Sequence, residues 1–493
     1  MREPATLVFC YGDYGFLNNM DTETLIIENK KKPALIAQYI QNELPPIIKS
    51  NNILYIYNKK YYNELCNSDI KDIIYKFLKK YKIIEYFKTS YINDVIGAIE
   101  HNDETPKKKI DNYDNLINLN NGIYNLDTFE LIEHSKDYYF SYIIDAEYKE
   151  NEKIEIPYFQ NFLNKLFTIN NNEPDIKEIS NIIRLGGYLL YPKNMIDIMF
   201  IFLGEGANGK SVLIDIFSLF FAKEFLTSLN LRQLSNPESF SREPLSYSKI
   251  NITTEEKGGK IDSEEIKKIT SGDDITIIRK YKKAITFKPS IKLIIASNST
   301  PHFNDTTHAI YRRLMIFDFQ NRFIENDEEY NKIKNPNKKR IFKASNKIDL
   351  LENIKKEKNS ILKLFLNGLK DLRSKKWQFP KTKNQTEIMN EYKDISDKLG
   401  TFIKENYEEI ENYDIEKASN DNIKDNCLSI NTILQEYKIW YKENISETKF
   451  FDNTKTIGKK IKYIFRINNK RIKIFNEIMQ ESKVIYYPLK KII

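Results

Sequence analysis

Gly204-Glu205-Gly206-Ala207-Asn208-Gly209-Lys210-Ser211 is the stretch from which the rest of the chain is best read. It matches Gly-x-x-x-x-Gly-Lys-Ser/Thr, a loop that wraps nucleotide phosphates. The context fits: the apolar run Ile198–Leu203 leads in as a strand, and an amphipathic helix is expected from Ser211 to Phe221. Each residue type has a physical reason. Glycines let successive backbone N–H groups curl around phosphate oxygens, and the following helix aims its positive end at the anion. Lys210 neutralises the outer phosphates, and the Ser211 hydroxyl suits Mg²⁺. In a chain with only 15 glycines, a chance match is expected well under about one time in a hundred. The candidate nucleotide site is therefore Gly204 to Ser211 together with Val212, and the implied ligands are ATP and Mg²⁺.

Outward from this loop, short β-type runs alternate with helical or loop segments up to Phe323. The runs are Ile198–Leu203, Ile250–Thr253, Lys292–Ala296 and Leu314–Phe319. This alternation predicts an α/β domain with a central sheet. Three of the runs adjoin groups that a phosphate loop needs nearby. The second leads into Glu255 and Glu256; a carboxylate here orients an attacking water, with Glu255 the first choice and Glu256 the alternative or a metal partner. The third leads into Ser297-Asn298, and the Asn298 amide suits a γ-phosphate or a water. Tyr311-Arg312-Arg313 precedes the fourth; the two arginines are either surface charges or a finger into a neighbouring subunit's site.

Between these strands, Ser271-Gly272-Asp273-Asp274 reads as a turn and Ile275–Ile278 as a β run. Arg279-Lys280-Tyr281-Lys282-Lys283 follows, and Ala284–Phe287 returns. Two strands around a basic, aromatic tip make a hairpin. It reads equally as a lysine-blunted sheet edge and as a nucleic-acid contact, whose cations hold phosphates while Tyr281 stacks on a base. Lys280 and Lys282 are the leading candidates.

In this order the motifs resemble superfamily 3 helicases, in particular the poxvirus and satellite-phage type of primase–helicase. The resemblance is carried by GEGANGKS at 204–211, NITTEE at 251–256, SGDDITIIRKYKKAITFKP at 271–289, KLIIASNSTP at 292–301 and YRRLMIFDF at 311–319. NGIYNLD at 121–127 and GGYLLYP at 186–192 resemble the segments that precede the motor in that family. The doubled Glu255-Glu256 departs from the family's single glutamate. The resemblance implies an AAA+-like P-loop ATPase core working as a hexameric ring, with ATP between subunits. Lys210 and Ser211 then hold phosphate and metal, Glu255 is the catalytic carboxylate, Asn298 the polar sensor, and Arg312 or Arg313 the finger. It also moves the hairpin reading towards a projection into a ring channel that grips single-stranded DNA.

The flanks are read from pattern. Residues 1–119 are expected to form an α-rich domain, although Leu54–Tyr57 reads as a strand, Asn58-Lys59-Lys60 as a turn and Tyr61-Tyr62 as a return. Asn102 to Asn120 is polar and linker-like, and Asn120-Asn121-Gly122 is a turn signal before a short strand. Residues 120–190 lead into the motor through two helices, Pro157–Phe167 and Ile176–Leu190, the second stopped by Pro192. The core spans 191–325. Residues 326–400 form a helical region with a flexible insertion at Glu325–Asn346. Residues 401–493 are expected to be a small winged-helix-like domain with a basic helix around Lys455, Lys459, Lys460 and Lys462.

The whole chain is mildly basic, net +8 with 30% charged residues, which suits a polyanionic partner without requiring one. Its three cysteines lie too far apart for a disulfide framework or a zinc spacing. No apolar run is long enough to span a bilayer, and no signal segment opens the chain. The expected location is the cytoplasm or the host compartment where the element replicates. The expected partners are single-stranded and forked duplex DNA, further copies of the chain, and a separate primase or polymerase, because no paired acidic motif for priming precedes Asn121. Two other readings belong to different classes: an origin-binding initiator, and a packaging or remodelling ATPase that does not unwind.

Overall fold

The computed structural model describes residues 26–492 except 28, 52, 84–87, 103–104, 170–172, 255–260, 281–283, 300, 302, 304–307, 334–339, 384, 388, 390–397, 412, 445–453, 468 and 476–480. The N-terminal region is helical on one side only. Helix α1 (Pro33–Glu43) is followed by an antiparallel sheet of β1 (Ile47–Ser50), β2 (Ile53–Tyr57) and β3 (Tyr62–Glu64), then by α2 (Asn67–Lys80) and α3 (Thr89–Glu100). Strand alternation divides β2 between two cores. Leu54 and Ile56 join the helices, while Ile53, Tyr55 and Tyr57 face the other way with Ile48 and Tyr62. The expected α-rich domain is thus a helical layer on a small sheet.

The supposed linker before Asn121 contains a buried strand. β4 (Leu116–Leu119) and β5 (Gly122–Asn125) pair antiparallel with Leu119 opposite Gly122, so Asn120 and Asn121 form a two-residue turn. The Leu-Ile-Asn-Leu run was masked by the polar residues before it. β6 (Leu131–Ile132) completes this sheet. Helices α4 (Pro157–Leu166) and α5 (Ile176–Leu190) follow where the sequence placed them. Asp175 caps α5 by accepting from the amides of Lys177 and Glu178.

The core begins with β7 (Met199–Leu203) and α6 (Lys210–Ser218). It continues through β8 (Leu226–Thr227), α7 (Leu231–Ser235), β9 (Ile250–Thr254), α8 (Glu264–Ser271), the hairpin β10 (Ile275–Ile277)/β11 (Ile285–Phe287), β12 (Lys292–Ser297), the short α9 (His308–Tyr311) and β13 (Leu314–Asp318). The five-stranded sheet runs β13-β7-β12-β9-β8, and every pair is parallel. Its near-continuous apolar strands are those of a sheet covered on both faces. Phe200, Phe202, Ile294 and Phe317 point into one core with α4, α5 and α6, while Met199, Ile201, Ile295 and Ile316 point into the other with α7 and α8.

Beyond β13 the chain makes β14 (Arg322–Ile324), α10 (Asp327–Asn331) and β15 (Ile341–Lys343), with β14 and β15 parallel. The segment expected to be a flexible insertion thus carries α10 and β15 on either side of residues 334–339, and Phe342 of β15 meets Phe323 of β14 with ring centroids 6.0 Å apart. α11 (Lys347–Lys356) and α12 (Lys358–Ser374) then cover the first core. α12 crosses α5 closely because glycines meet there: a Cβ on Gly368 would lie 2.6 Å from the Ile183 carbonyl oxygen. The C-terminal region contains α13 (Lys398–Asn406), β16 (Tyr407–Glu409), α14 (Asn420–Asn426), β17 (Leu428–Ser429), α15 (Ile430–Asn444), α16 (Thr454–Phe465), β18 (Lys470–Phe475), β19 (Glu481–Tyr487) and β20 (Leu489–Lys491). β17, β19 and β18 form one sheet, and β16 pairs with β20. Among the described residues, no helix is long and apolar enough to cross a membrane.

Candidate nucleotide-binding site

β7 lies between β12 and β13, neither of which is its neighbour in sequence. At the carboxyl ends of such strands the connections diverge and leave a crevice, which is where α/β sheets bind ligands. The 204–209 loop lies there, and its conformation explains its glycines. Gly204 has φ 152° and Gly209 φ 82°, both in territory that side chains avoid. A Cβ on Gly204 would come within 2.6 Å of the Phe319 carbonyl oxygen, and one on Gly209 within 2.6 Å of Leu166 Cδ1. Gly206 is different, with nothing within 4 Å of its added Cβ. Ala207 also takes a positive φ, 58°.

Neighbouring strands hold the loop. The Gly204 amide donates to the Ser297 carbonyl across 3.2 Å, and the Phe323 amide donates to the Ala207 carbonyl across 2.7 Å. Asn208, buried, donates from Nδ2 to the Phe319 carbonyl (3.2 Å) and accepts from Lys210 Nζ at Oδ1 (3.1 Å). Lys210 also donates to the Gly204 carbonyl. Burial holds the Lys210 ammonium below its usual range, and the nearby charge of Asp318 opposes that shift. A buried cation at a helix N-terminus, among backbone groups, is poised for an anion that would share its charge.

The loop opens into a cleft of 820 Å³, a volume suited to a small-molecule or cofactor ligand. Ser211, Val212 and Asn298 line it together with Gly206 to Lys210. Asn298 is brought here by register. β12 pairs with β7 up to Ser297 opposite Leu203, so the next residue emerges level with the first glycine.

The far wall was not legible in the sequence. It consists of Phe162 and Lys165 from α4, Phe323 from β14, Lys343 from β15 and Lys347 from the start of α11. α4 is fastened at both ends. The Glu357 carboxylate accepts from the Tyr158 and Phe159 amides at its N-terminus, at 2.8 and 2.9 Å. Asn321 donates to the carbonyls of Lys165, Leu166 and Thr168 at its C-terminus, at 2.8, 3.2 and 3.1 Å. These tether residues lie about 150 or more positions away from their partners, and no local pattern announces them.

The remaining candidates divide. Glu255 and Glu256 lie outside the described residues, as do Tyr281, Lys282 and Lys283. Thr254, the last residue of β9, pairs with Ala296, which pairs with Phe202, so β9 ends level with the loop. Arg312 and Arg313 are not part of the cleft. They precede β13, at the opposite end of the sheet from the loop. Arg312 is exposed. Arg313 is buried and donates from Nη2 to Ser271 Oγ (2.9 Å) and Asp197 Oδ2 (3.4 Å). Arg279 is half-buried at the base of the hairpin loop, and its charge is felt at Tyr55 in the N-terminal sheet. Lys280 is exposed.

Comparison with known proteins finds two family models and several relatives. Residues 34–168 match a family model described as D5 N terminal like. Residues 202–313, the core, match a family of unknown function, DUF5906. The chain is 25% identical over 347 residues to "Putative helicase L207/L206" of Acanthamoeba polyphaga mimivirus, covering 68% of this chain and 34% of that protein. It is 22% identical over 323 residues to "Putative helicase 121R" of Invertebrate iridescent virus 3, covering 61% and 33%. The chain thus spans about a third of the length of the curated relatives it matches. Among solved structures, the apo C-terminal region of NrS-1 aligns over 93% of this chain and all of its own, at 12% identity and a TM-score of 0.48.

Proposed function

We propose that this chain is the motor of a superfamily 3 DNA helicase, driven by ATP and acting as a ring in the replication of a viral or mobile-element genome. The observation that carries the reading is the phosphate loop on a central strand, opening into a cleft shared with Asn298. The helicase names of its viral relatives support it. In this reading the loop amides and Lys210 bind the phosphates, and Asn298 positions the γ-phosphate or the water. Glu255, which directly follows β9, takes the proton of the attacking water. The Ser211 hydroxyl lines the cleft next to Lys210 and fits Mg²⁺, which needs one or two protein ligands beside phosphate oxygens and waters. The ion, when bound, neutralises charge on the β- and γ-phosphates.

Arg312 is the proposed finger. It lies a full strand of five residues from its own loop, about 15 Å at the usual rise per residue, so it serves a neighbour's site. Arg313 is already engaged inside its own subunit. Hexameric assembly follows from the superfamily reading, as do DNA as the track and a separate primase as partner. The C-terminal order of helix, strand, helix, helix, strand, strand supports a winged-helix-like module, with α16 presenting Lys455, Lys459 and Lys462 while Ile457 and Ile461 are buried.

The test is ATP hydrolysis by wild type and Glu255→Gln, with and without single-stranded DNA, alongside strand displacement on a forked duplex. The reading requires DNA-stimulated hydrolysis and unwinding by wild type, and a mutant that binds ATP without turnover. Hydrolysis indifferent to DNA, with no displacement, would sink it in favour of a remodelling ATPase.

A further inference from the structure

The N-terminal sheet and the hairpin meet at one cluster. Ile48, Ile53, Tyr55, Tyr57 and Tyr62 form the sheet's second face, and Ile285 of β11 packs against it. Ile285 pairs with Ile277, the last registered pair of the hairpin. The residues that follow, Arg279 and Lys280 among them, therefore leave the hairpin at the N-terminal sheet. Ile110 packs on the same cluster. The three residues before it are Lys107, Lys108 and Lys109, all exposed.

This lysine run is held in place. The Lys49 amide donates to the Pro106 carbonyl across 2.9 Å, and the Lys108 amide donates to the Lys49 carbonyl across 3.0 Å, which adds the segment to the edge of β1. Lys108 Nζ stands 5.3 Å from the Tyr139 ring centroid. The nearest acid in sequence, Asp111, is turned inward, paired with Lys249 at 2.7 Å and accepting from Ser141. Among the described residues no carboxylate pairs with Lys107, Lys108 or Lys109. Two elements far apart in sequence thus place their cations around one apolar joint. A solvated sheet edge guarded by lysines would look the same in isolation, but it would have no reason to adjoin the basic hairpin.

We infer that Lys107, Lys108 and Lys109 form a second contact for the phosphate backbone of single-stranded DNA, continuous with the hairpin. The inference rests on the proposed DNA track. It gives the N-terminal region a direct role in holding the strand.

The test measures binding of the full chain to a labelled oligo-dT across a salt series. Changing all three lysines to Ala is expected to weaken binding by about tenfold or more at low salt. It should also reduce the slope of log K against log salt by about 2, three single-strand contacts at about 0.7 each. DNA-free ATP hydrolysis should match wild type, and the triple Lys→Arg variant should restore binding. Wild-type affinity and slope in the triple Ala variant, while Lys280→Ala binds weakly, would overturn the inference and leave the track intact. Loss of duplex binding with single-strand binding retained would also overturn it. If wild type binds no oligo-dT and Lys280→Ala changes nothing, the DNA reading itself fails, and this inference with it.

Discussion

Arg313 donates from Nη2 to the Ser271 hydroxyl across 2.9 Å, tying the start of β13 to the end of α8, where the chain turns into the hairpin. Its neighbour Arg312 is exposed and makes no part of that tie. Two adjacent arginines that look alike in sequence therefore have separable roles.

Arg313→Ala should destabilise the fold by about 1–3 kcal/mol, because it removes a buried side chain and its charge-assisted hydrogen bond to Ser271. Arg312→Ala should leave stability within about 0.5 kcal/mol and reduce ATP hydrolysis by about a thousandfold or more if it is the finger. Thermal melts read the first effect and turnover the second. Mixing Arg312→Ala with Lys210→Ala subunits should recover part of the activity, since each mixed interface of one polarity has an intact loop and an intact finger. No recovery on mixing would place Arg312 outside the neighbouring site.

The loop glycines make a sharper contrast. Gly204→Ala forces a Cβ to within 2.6 Å of the Phe319 carbonyl at φ 152°, so ATP binding should be lost and stability should drop. Gly206→Ala meets open space, and its ATP affinity should stay within about threefold of wild type, less than about 0.7 kcal/mol. Calorimetric titration of ATP into both variants checks this. Equal losses would mean that the loop changes shape on binding.

The central sheet was legible because its strands are apolar runs bounded by polar turns, and the loop after β7 because its glycine spacing is rare. The place of Asn298 in the cleft was legible because it directly follows an apolar strand. Asn321, Glu357 and Phe323 were not. Each acts on α4 or the loop from a distant part of the chain, and a lone Asn or Glu in an Asn- and Lys-rich stretch reads as solvated surface. Leu116–Leu119 was missed as a strand because the preceding residues are polar, although Asn120-Asn121-Gly122 marked the turn after it. The separation of Arg312 from Arg313 depends on Ser271 and Asp197, which only the folded chain brings near.

Glu178 makes the fold sensitive to pH. It is buried, accepting from the Thr382 hydroxyl and from Gln385 Nε2 at 3.0 Å, and burial pushes its carboxyl from an ordinary 4.5 up to about 7. Between these values the folded chain holds a proton that the unfolded chain has released, so stability falls as pH rises. The loss approaches about 3 kcal/mol above pH 7, at about 1.4 kcal/mol per unit. Glu178→Gln should flatten this part of the profile, as read from denaturant melts at pH 5 and pH 8. An unchanged slope in the variant would assign the dependence to other groups.

Asn321 fastens α4 to the cleft by donating to three backbone carbonyls, and a single amide nitrogen accounts for all three. Asn321→Ala leaves those carbonyls without their donor and should cost about 1–3 kcal/mol. Because α4 carries Phe162 and Lys165 into the cleft wall, KM for ATP should rise several-fold with a smaller effect on kcat. Asn321→Asp is the more telling change. A carboxylate at this buried position would face three carbonyl oxygens and have no proton to offer, so it should be worse than Ala at pH 8. It should recover towards wild type as the pH is lowered and the carboxyl regains a donor. Melts of the three proteins at pH 5 and pH 8 measure this. An Asp variant as stable as wild type at pH 8 would show that Asn321 does not hold α4 through these bonds.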